Sequence, residues 1–108
     1  MVSFFCPYLE HTVELTDERL EHICRVHPEL SSIYESALYL TLSDPDQVRQ
    51  SSRFEQAKLF TRWFESLLDG KYIIVVVIHS TEESERYWII TAYVARKLSG
   101  GKIEWQRS

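Results

Sequence analysis

The stretch KYIIVVVIHS TEESER YWIITAYVARK, which runs from Lys71 to Lys97, decides the fold of this chain. Positions 72–78 are all β-branched or aromatic, a run typical of a strand covered on both faces and too short and too β-branched for a buried helix. A charged turn, TEESER, separates this run from a second apolar run. We therefore predict two strands of one antiparallel sheet, at 72–78 and 87–97.

The second run alternates with the period of two that is expected of a strand, so its side chains divide between two faces. Strict alternation places Trp88 and Ala92 together on the core side. The other side ends in Thr91, Tyr93 and Lys97, which carry a hydroxyl, a phenol and an amine. Such a face is either a solvated surface or a place where an anion binds, and the function of the chain depends on which it is.

Composition indicates one ordinary domain over residues 1–108, since 108 residues with 44% hydrophobic content suffice for a single core. The net charge of −4 argues against a protein that holds nucleic acid by a broad basic field, although a local cationic pocket is compatible with it. Cys6 and Cys24 are too few for a disulfide framework and have no metal-binding spacing, so we expect reduced thiols. Without an export signal or an apolar segment of about 20 residues, we expect a cytoplasmic protein with no membrane contact.

The first half of the chain predicts helices flanked by short strands. Thr16 is a good helix N-cap, and Asp17 and Glu18 follow it at the positive end of the helix dipole, before an apolar stripe at helical spacing. A second helix is expected at about 29–40, ahead of the turn sequence SDPD at 43–46. Short strands are expected at 2–6, 11–15 and 47–51.

Residues 53–68 fit both a helical and a strand period. We favour a strand at 58–64, because a continuously apolar strand at 72–78 needs a neighbour on each side, and Asp69–Gly70 supplies a turn between them. The tail offers Ile103 and Trp105 as a last packing contact. Helices first and an antiparallel meander afterwards predict an α+β fold, with helices packed on one sheet face and the other face partly open.

The succession LTDERLEHICRVHPEL, LSDPDQV, LFTRWF, YIIVVVI, WIITAYVARK and GGKIEW resembles the small nucleases of the barnase–EndoU–colicin–RelE-like superfamily. It is most similar to the short single-domain members associated with phages and cyanobacteria, and the resemblance covers about Val13 to Trp105. It implies N-terminal helices packed on a four- or five-stranded antiparallel sheet. It also implies metal-independent RNA cleavage on the open sheet face, without a metal or other cofactor.

The resemblance assigns roles to individual residues. His22 and His27 become acid–base candidates on the helix, and Arg62 matches a sheet arginine that would hold the scissile phosphate. Thr91 and Tyr93 match the polar face of the late strand. The implied catalytic set is therefore His22, His27, Arg62, Thr91 and Tyr93, with Lys97, Arg19 and Lys58 as substrate-binding residues.

The chain departs from the commoner superfamily pattern in two respects. Thr61 stands where an aromatic residue more often precedes the arginine, which argues against base stacking at that position. The acidic net charge is unlike that of the basic, ribosome-dependent members, which argues against ribosome binding.

The implied residue types suit the chemistry. Cleaving RNA without a metal requires a base for the 2′-OH proton, an acid for the 5′ leaving oxygen, and cations or donors for the charge on the phosphate. Histidine serves either proton transfer because its ordinary pKa lies near neutral pH. Arginine offers a planar fork of donors to phosphate oxygens.

Each candidate also has a purely structural interpretation. His22 lies at the border of the apolar stripe and could cover the edge of the core. His27 could be a helix-terminal residue satisfied by carbonyls, and Arg62 could pair with a carboxylate across the sheet. Thr91 and Tyr93 are ordinary strand residues.

Two hypotheses follow. The first is a toxin-like endoribonuclease that acts on RNA in the cytoplasm and has a cognate antitoxin or immunity protein as its partner. The alternative is a non-catalytic protein- or RNA-binding module, or a homodimer formed along an exposed edge strand, with Tyr8, Trp88 or Trp105 as interface anchors. The first requires the helix histidine and Arg62 to meet over the open sheet face.

Overall fold

A computed structural model describes residues 1–65 and 70–108 of the chain. In chain order its elements are β1 (Val2–Cys6), β2 (His11–Leu15), α1 (Asp17–Val26), a 3₁₀ turn (Pro28–Leu30), α2 (Tyr34–Ser43), β3 (Gln47–Gln50), β4 (Ala57–Phe64), β5 (Lys71–Ser80), β6 (Arg86–Ala95) and β7 (Lys102–Gln106). In this part of the chain, no helix is long and apolar enough to cross a membrane.

The described strands form one seven-stranded mixed sheet in the order β1-β2-β6-β5-β4-β3-β7. β2 pairs parallel with β6, through Val13 with Tyr87 and Glu14 with Trp88, and the other pairings are antiparallel. The implied four- or five-stranded antiparallel sheet is therefore wrong. The β1–β2 hairpin adds to the outer edge of β6, and β7 adds to β3, because the backbone N–H and C=O groups at a sheet edge need partners.

The strand interpretation of the ambiguous segment is confirmed. β4 pairs with β5 along its whole length, from Ala57 opposite Ile78 to Phe64 opposite Lys71. The local sequence fits a helical and a strand period equally well. The strand forms because β5 requires a paired strand on its second edge. Of the predicted Asp69–Gly70 turn, Asp69 lies outside the described residues, and Gly70 has φ +80°.

The first helix begins where the sequence predicts, whereas the second has other bounds than predicted. The Thr16 side chain accepts a hydrogen bond from the backbone N–H of Arg19 at 3.2 Å, which confirms the predicted N-cap. The predicted helix at 29–40 is wrong in its bounds, because Pro28 starts a separate 3₁₀ turn and α2 covers Tyr34–Ser43. Within that turn the Ser31 hydroxyl donates to the Pro28 carbonyl, a local bond that competes with helix continuation.

The main core lies between the helices and one face of the sheet. Phe60, Val75 and Ala92 are neighbours across β4, β5 and β6, and they pack in the cluster that holds Ile23 of α1 and Leu38 of α2. We call this side the helix face.

The opposite side of the sheet, which we call the open face, carries Thr61, Ile74 and Tyr93 as neighbours across the same three strands. The prediction that side chains alternate strictly between the two faces is wrong for the first half of β6, because the strand contains a β-bulge. Val76 pairs with Thr91, but the next residue of β5 pairs with Ile89, so Ile90 is an extra residue. Trp88 consequently belongs to the open face, and Ile89 to the core.

Candidate functional site

A cavity of about 60 Å³ lies on the open face between β3, β4, β5, β6 and the segment after β6. It is lined by Arg49, Leu59, Thr61, Ile74, Tyr93, Ala95, Lys97, Leu98 and Ser99. The lining therefore brings two cations and three hydroxyl groups together over an apolar floor, a combination suited to an anion with an attached organic group.

Arg49 is held over this cavity by neutral partners. Its Nε donates to the Gln47 side-chain oxygen at 3.0 Å, and its Nη1 donates to the Gly100 carbonyl at 2.9 Å. Gly100 and Gly101 have φ +76° and +71°, a left-handed geometry that glycine adopts without strain and that brings this carbonyl to the guanidinium. These bonds orient the guanidinium without neutralising its charge.

Most of the other cations are neutralised. Lys58 pairs with Glu104 at 2.7 Å, Arg86 with Glu14 at 2.9 Å, and Arg107 with Asp44 at 2.7 Å. By contrast, no carboxylate within residues 1–65 and 70–108 lies within the 4.0 Å ion-pair distance of Arg49 or Lys97. The cavity therefore holds two cations that no described carboxylate neutralises, in a chain whose net charge is −4.

Two hydroxyl groups complete the polar lining from the sheet itself. Thr61 is 1% exposed, and its Oγ1 donates to the Gln47 carbonyl at 3.3 Å. Burial raises the pKa of the Tyr93 phenol, so this group stays protonated near neutral pH and can donate a hydrogen bond. Tyr93 is also the cavity residue that lies next to His27, which directly follows α1.

His27 lies beside Tyr93 at the end of α1. The centroid of its imidazole is 6.4 Å from the centroid of the phenol ring, and its Nδ1 is 3.5 Å from the Glu29 carboxylate. His27 does not line the cavity itself, but it lies beside Tyr93, which does.

The structure brings some of the predicted site residues together. Thr91 and Tyr93 lie two residues apart on the open face, Lys97 follows at the cavity wall, and His27 approaches from α1. His22 is partly buried on α1, one position before the fully buried Ile23 and so about 100° around the helix axis from the core-facing direction.

The structure places the other predicted site residues elsewhere. Arg62 lies on the helix face, where its Nη1 donates to the carbonyl and the carboxylate of Asp44 at 2.6 and 2.9 Å. Lys58 shares that face and is paired with Glu104. Arg19 donates from Nη1 to the Ile90 carbonyl at 3.2 Å, along the edge of β6.

Strand parity explains the position of Arg62. Thr61 is opposite Ile74, which is opposite Tyr93, so these side chains share the open face. Arg62 is the next residue of β4, and successive side chains of a strand point to opposite faces. The condition that Arg62 meet the helix histidine over the open sheet face is therefore not met. The hypothesis fails in the form that gives Arg62 the phosphate-binding role.

Arg49 was absent from the predicted site. Its signal is weak but present in the sequence QVRQ, since Val48 alternates with Arg49 and is fully buried against Phe60. An arginine next to a buried strand residue faces the opposite side of the sheet. Without the strand order, however, that side could not be connected with Tyr93 or Lys97.

Comparisons of the chain with family models, with curated proteins and with solved structures found no match. The resemblance to the barnase–EndoU–colicin–RelE-like superfamily therefore stays a prediction.

Proposed function

We propose that this protein is a metal-independent endoribonuclease of toxin-like type that acts on cytoplasmic RNA at the open-face cavity. One observation supports this most strongly: Arg49 and Lys97, which have no carboxylate partner in the described residues, line the same cavity as Tyr93, and Tyr93 contacts His27. The reaction requires cations for the phosphate, a base and an acid, and these residues include a candidate for each.

In the proposed reaction, His27 removes the proton from the ribose 2′-OH, and the 2′ oxygen attacks the neighbouring phosphorus. The charge on the phosphoryl oxygens is stabilised by Arg49 and Lys97. Tyr93 gives its proton to the departing 5′ oxygen, and His27 returns a proton to Tyr93. The products are a 2′,3′-cyclic phosphate and a 5′-hydroxyl end, and both residues regain their starting protonation states.

In this proposal Arg49 takes the phosphate-binding role that the resemblance implied for Arg62. The reason is geometric, since Arg62 is bonded to Asp44 on the helix face. We also propose that a cognate antitoxin or immunity protein inhibits the enzyme by placing acidic side chains in the Arg49–Lys97 cavity.

Purified protein and a fluorescent single-stranded RNA with a chelator in the buffer test the proposal. We expect cleavage that continues in the chelator, stops when the scissile nucleotide is 2′-deoxy, and leaves cyclic phosphate ends. Arg49→Ala should reduce the rate by about 10²-fold, and Arg53→Ala is the matched control. Arg53 is an exposed cation outside the cavity, with its guanidinium 5.8 Å from the Phe54 ring. Absence of any RNA cleavage between pH 5 and 9 would refute the proposal.

A second candidate is the non-catalytic module that assembles through an edge strand. β7 forms one edge of the sheet, all five of its residues are exposed, and they include Ile103 and Trp105 at 43% and 38% exposure. Pairing of β7 with a second copy would cover both side chains. Sedimentation of the native chain and of an Ile103→Lys variant separates this candidate from a monomeric enzyme.

A further inference from the structure

A second cavity adjoins the first on the open face. Its volume is about 290 Å³, and it is lined by Asp46, Gln47, Trp63, Tyr72, Leu98, Gln106 and Arg107. Leu98 lines both cavities, so the two adjoin at this apolar side chain.

The strand register fixes the spacing of the two cavities. Thr61 and Ile74 are opposite each other beneath the first cavity, and Trp63 and Tyr72 are opposite each other in the second. Two residues along a strand cover about 6.6 Å. This distance is within the reach of one nucleotide, from its phosphate to its base.

The second cavity contains an aromatic surface. The Trp63 and Tyr72 rings meet edge to face, with centroids 4.9 Å apart and an angle of 69° between their planes, and 41% of Trp63 is exposed. Neighbouring backbone restrains the indole. A Cβ added to Gly70 would lie 2.8 Å from Trp63 Cζ2, and the Trp63 backbone N–H donates to Asp46 Oδ2 at 2.7 Å.

Most polar groups around this aromatic surface already make hydrogen bonds. The side-chain amides of Gln47 and Gln106 are left to contact a ligand. Asp46 accepts bonds from the Trp63 backbone and from Arg107 Nε at 3.2 Å. Gln47 uses its oxygen for Arg49, which leaves its amide N–H groups as donors. Gln106 is exposed and offers both a donor and an acceptor.

We propose that the Trp63–Tyr72 cavity binds a nucleobase of single-stranded RNA, stacked on the indole, when the phosphate of the same nucleotide occupies the Arg49–Lys97 cavity. This inference rests on the proposed function, because the first cavity must hold the phosphate. Stacking on an aromatic residue accepts any base, and Gln47 and Gln106 bias the choice through hydrogen bonds to the base edge. Trp63 thus supplies the stacking residue that Thr61 does not provide.

Two 2′-O-methyl RNA tetranucleotides, one complete and one abasic at every position, separate base from backbone recognition because neither can be cleaved. We expect the complete oligonucleotide to bind the native chain at least tenfold more tightly than the abasic one. Trp63→Leu should remove this difference and Trp63→Phe should largely keep it. Trp105→Leu is the matched control, because Trp105 lies on the helix face near Tyr8. Equal binding of the two oligonucleotides, or equal effects of Trp63→Leu and Trp105→Leu, would overturn the inference.

A second measurement leaves Trp63 intact and so does not depend on the folding of the Trp63→Leu variant. In a chain with Trp88→Phe and Trp105→Phe, Trp63 is the one remaining tryptophan. We expect the complete oligonucleotide to quench its fluorescence and the abasic one to leave it unchanged. Equal quenching by both oligonucleotides would contradict a base stacked on the indole.

The failure of this inference is distinguishable from the failure of the proposed function. If Arg49→Ala weakens both oligonucleotides and Trp63→Leu weakens neither, the phosphate site stands and the base site is refuted. If the native chain binds neither oligonucleotide, both proposals are refuted.

Discussion

The imidazole of His27 lies 6.4 Å from the phenol ring of Tyr93, where the end of α1 meets the edge of β6. β2 pairs with β6 only at Tyr87 and Trp88, so the rest of that edge is available to the helix. Arg19, near the start of α1, bonds to the Ile90 carbonyl on this edge. The helix therefore brings its terminal histidine to a side chain of the open face without crossing the sheet.

His27→Ala should lower RNA cleavage by about 10²-fold or more, because it removes the proposed base. Single-turnover cleavage measures the loss, and urea unfolding checks that the fold survives. His22→Ala tests the other predicted histidine. We expect it to lower RNA cleavage less than His27→Ala does. A larger loss at His22 would move the acid–base role to that residue.

Arg49→Ala should mainly weaken RNA binding, whereas Arg62→Ala should mainly lower the stability of the fold. Arg49→Ala should weaken RNA binding and reduce the slope of log affinity against log salt by about 1, with little change in stability. Arg62→Ala should cost about 0.2–1 kcal/mol of stability, since Asp44, its partner, is half exposed, and should affect binding less. Salt titrations of binding and urea unfolding measure the two effects. The same salt slope in both variants would show that Arg49 does not contact a phosphate.

Asp44→Asn should reveal a pH-dependent contribution to stability. Arg107, with Arg62 beside it, lowers the pKa of the Asp44 carboxyl below its ordinary value of 3.8. The folded state then binds this proton more weakly than the unfolded state, so the stabilisation is present above about pH 4 and is lost as the pH falls through the lowered pKa. Urea midpoints of the native chain and the variant should differ most near neutral pH and converge in acid. A constant difference down to pH 2 would contradict this linkage.

Gly101→Ala should damage both the fold and the cavity. A Cβ at this position would lie 2.5 Å from the Gln50 carbonyl oxygen, and φ is +71°. We expect a loss of about 1–3 kcal/mol of stability, together with weaker RNA binding because the neighbouring Gly100 carbonyl orients Arg49. Gly100→Ala is the matched control, since φ is +76° but no atom lies within 4 Å of the added Cβ. Equal losses in the two variants would exclude the steric part of this explanation.

Several elements were predictable because their signals are local. The Thr16 cap, the strands at 2–6 and 11–15, and the β5 strand follow from capping chemistry and from side-chain type. The bounds of α2 were not predictable, since the 3₁₀ turn at Pro28 competes with a helical pattern that continues through it. β7 was expected only as a packing contact, because pairing with β3 makes it a strand.

The site was only partly predictable for the same reason. Tyr93 could be placed on the polar face by alternation within one strand. The predicted strand end at 97 was wrong, because β6 ends at Ala95, yet Lys97 in the following segment still lines the cavity. The exclusion of Arg62 and the inclusion of Arg49 depend on the register of β3 and β4 against their neighbours, and register is a property of pairs of strands. A shift of one residue in β4 would have exchanged Thr61 and Arg62 between the two faces.

The sequence by itself determined an α+β chain with a buried central strand and a polar end to β6, because side-chain branching and periodicity act within a few residues. Only the tertiary structure decided that the strands within residues 1–65 and 70–108 form a seven-stranded sheet with one parallel pairing, and that Arg49, not Arg62, shares the cavity with Tyr93 and Lys97. Those outcomes depend on backbone groups at strand edges finding partners far away in the chain, and the local pattern carries no information about which partners they find.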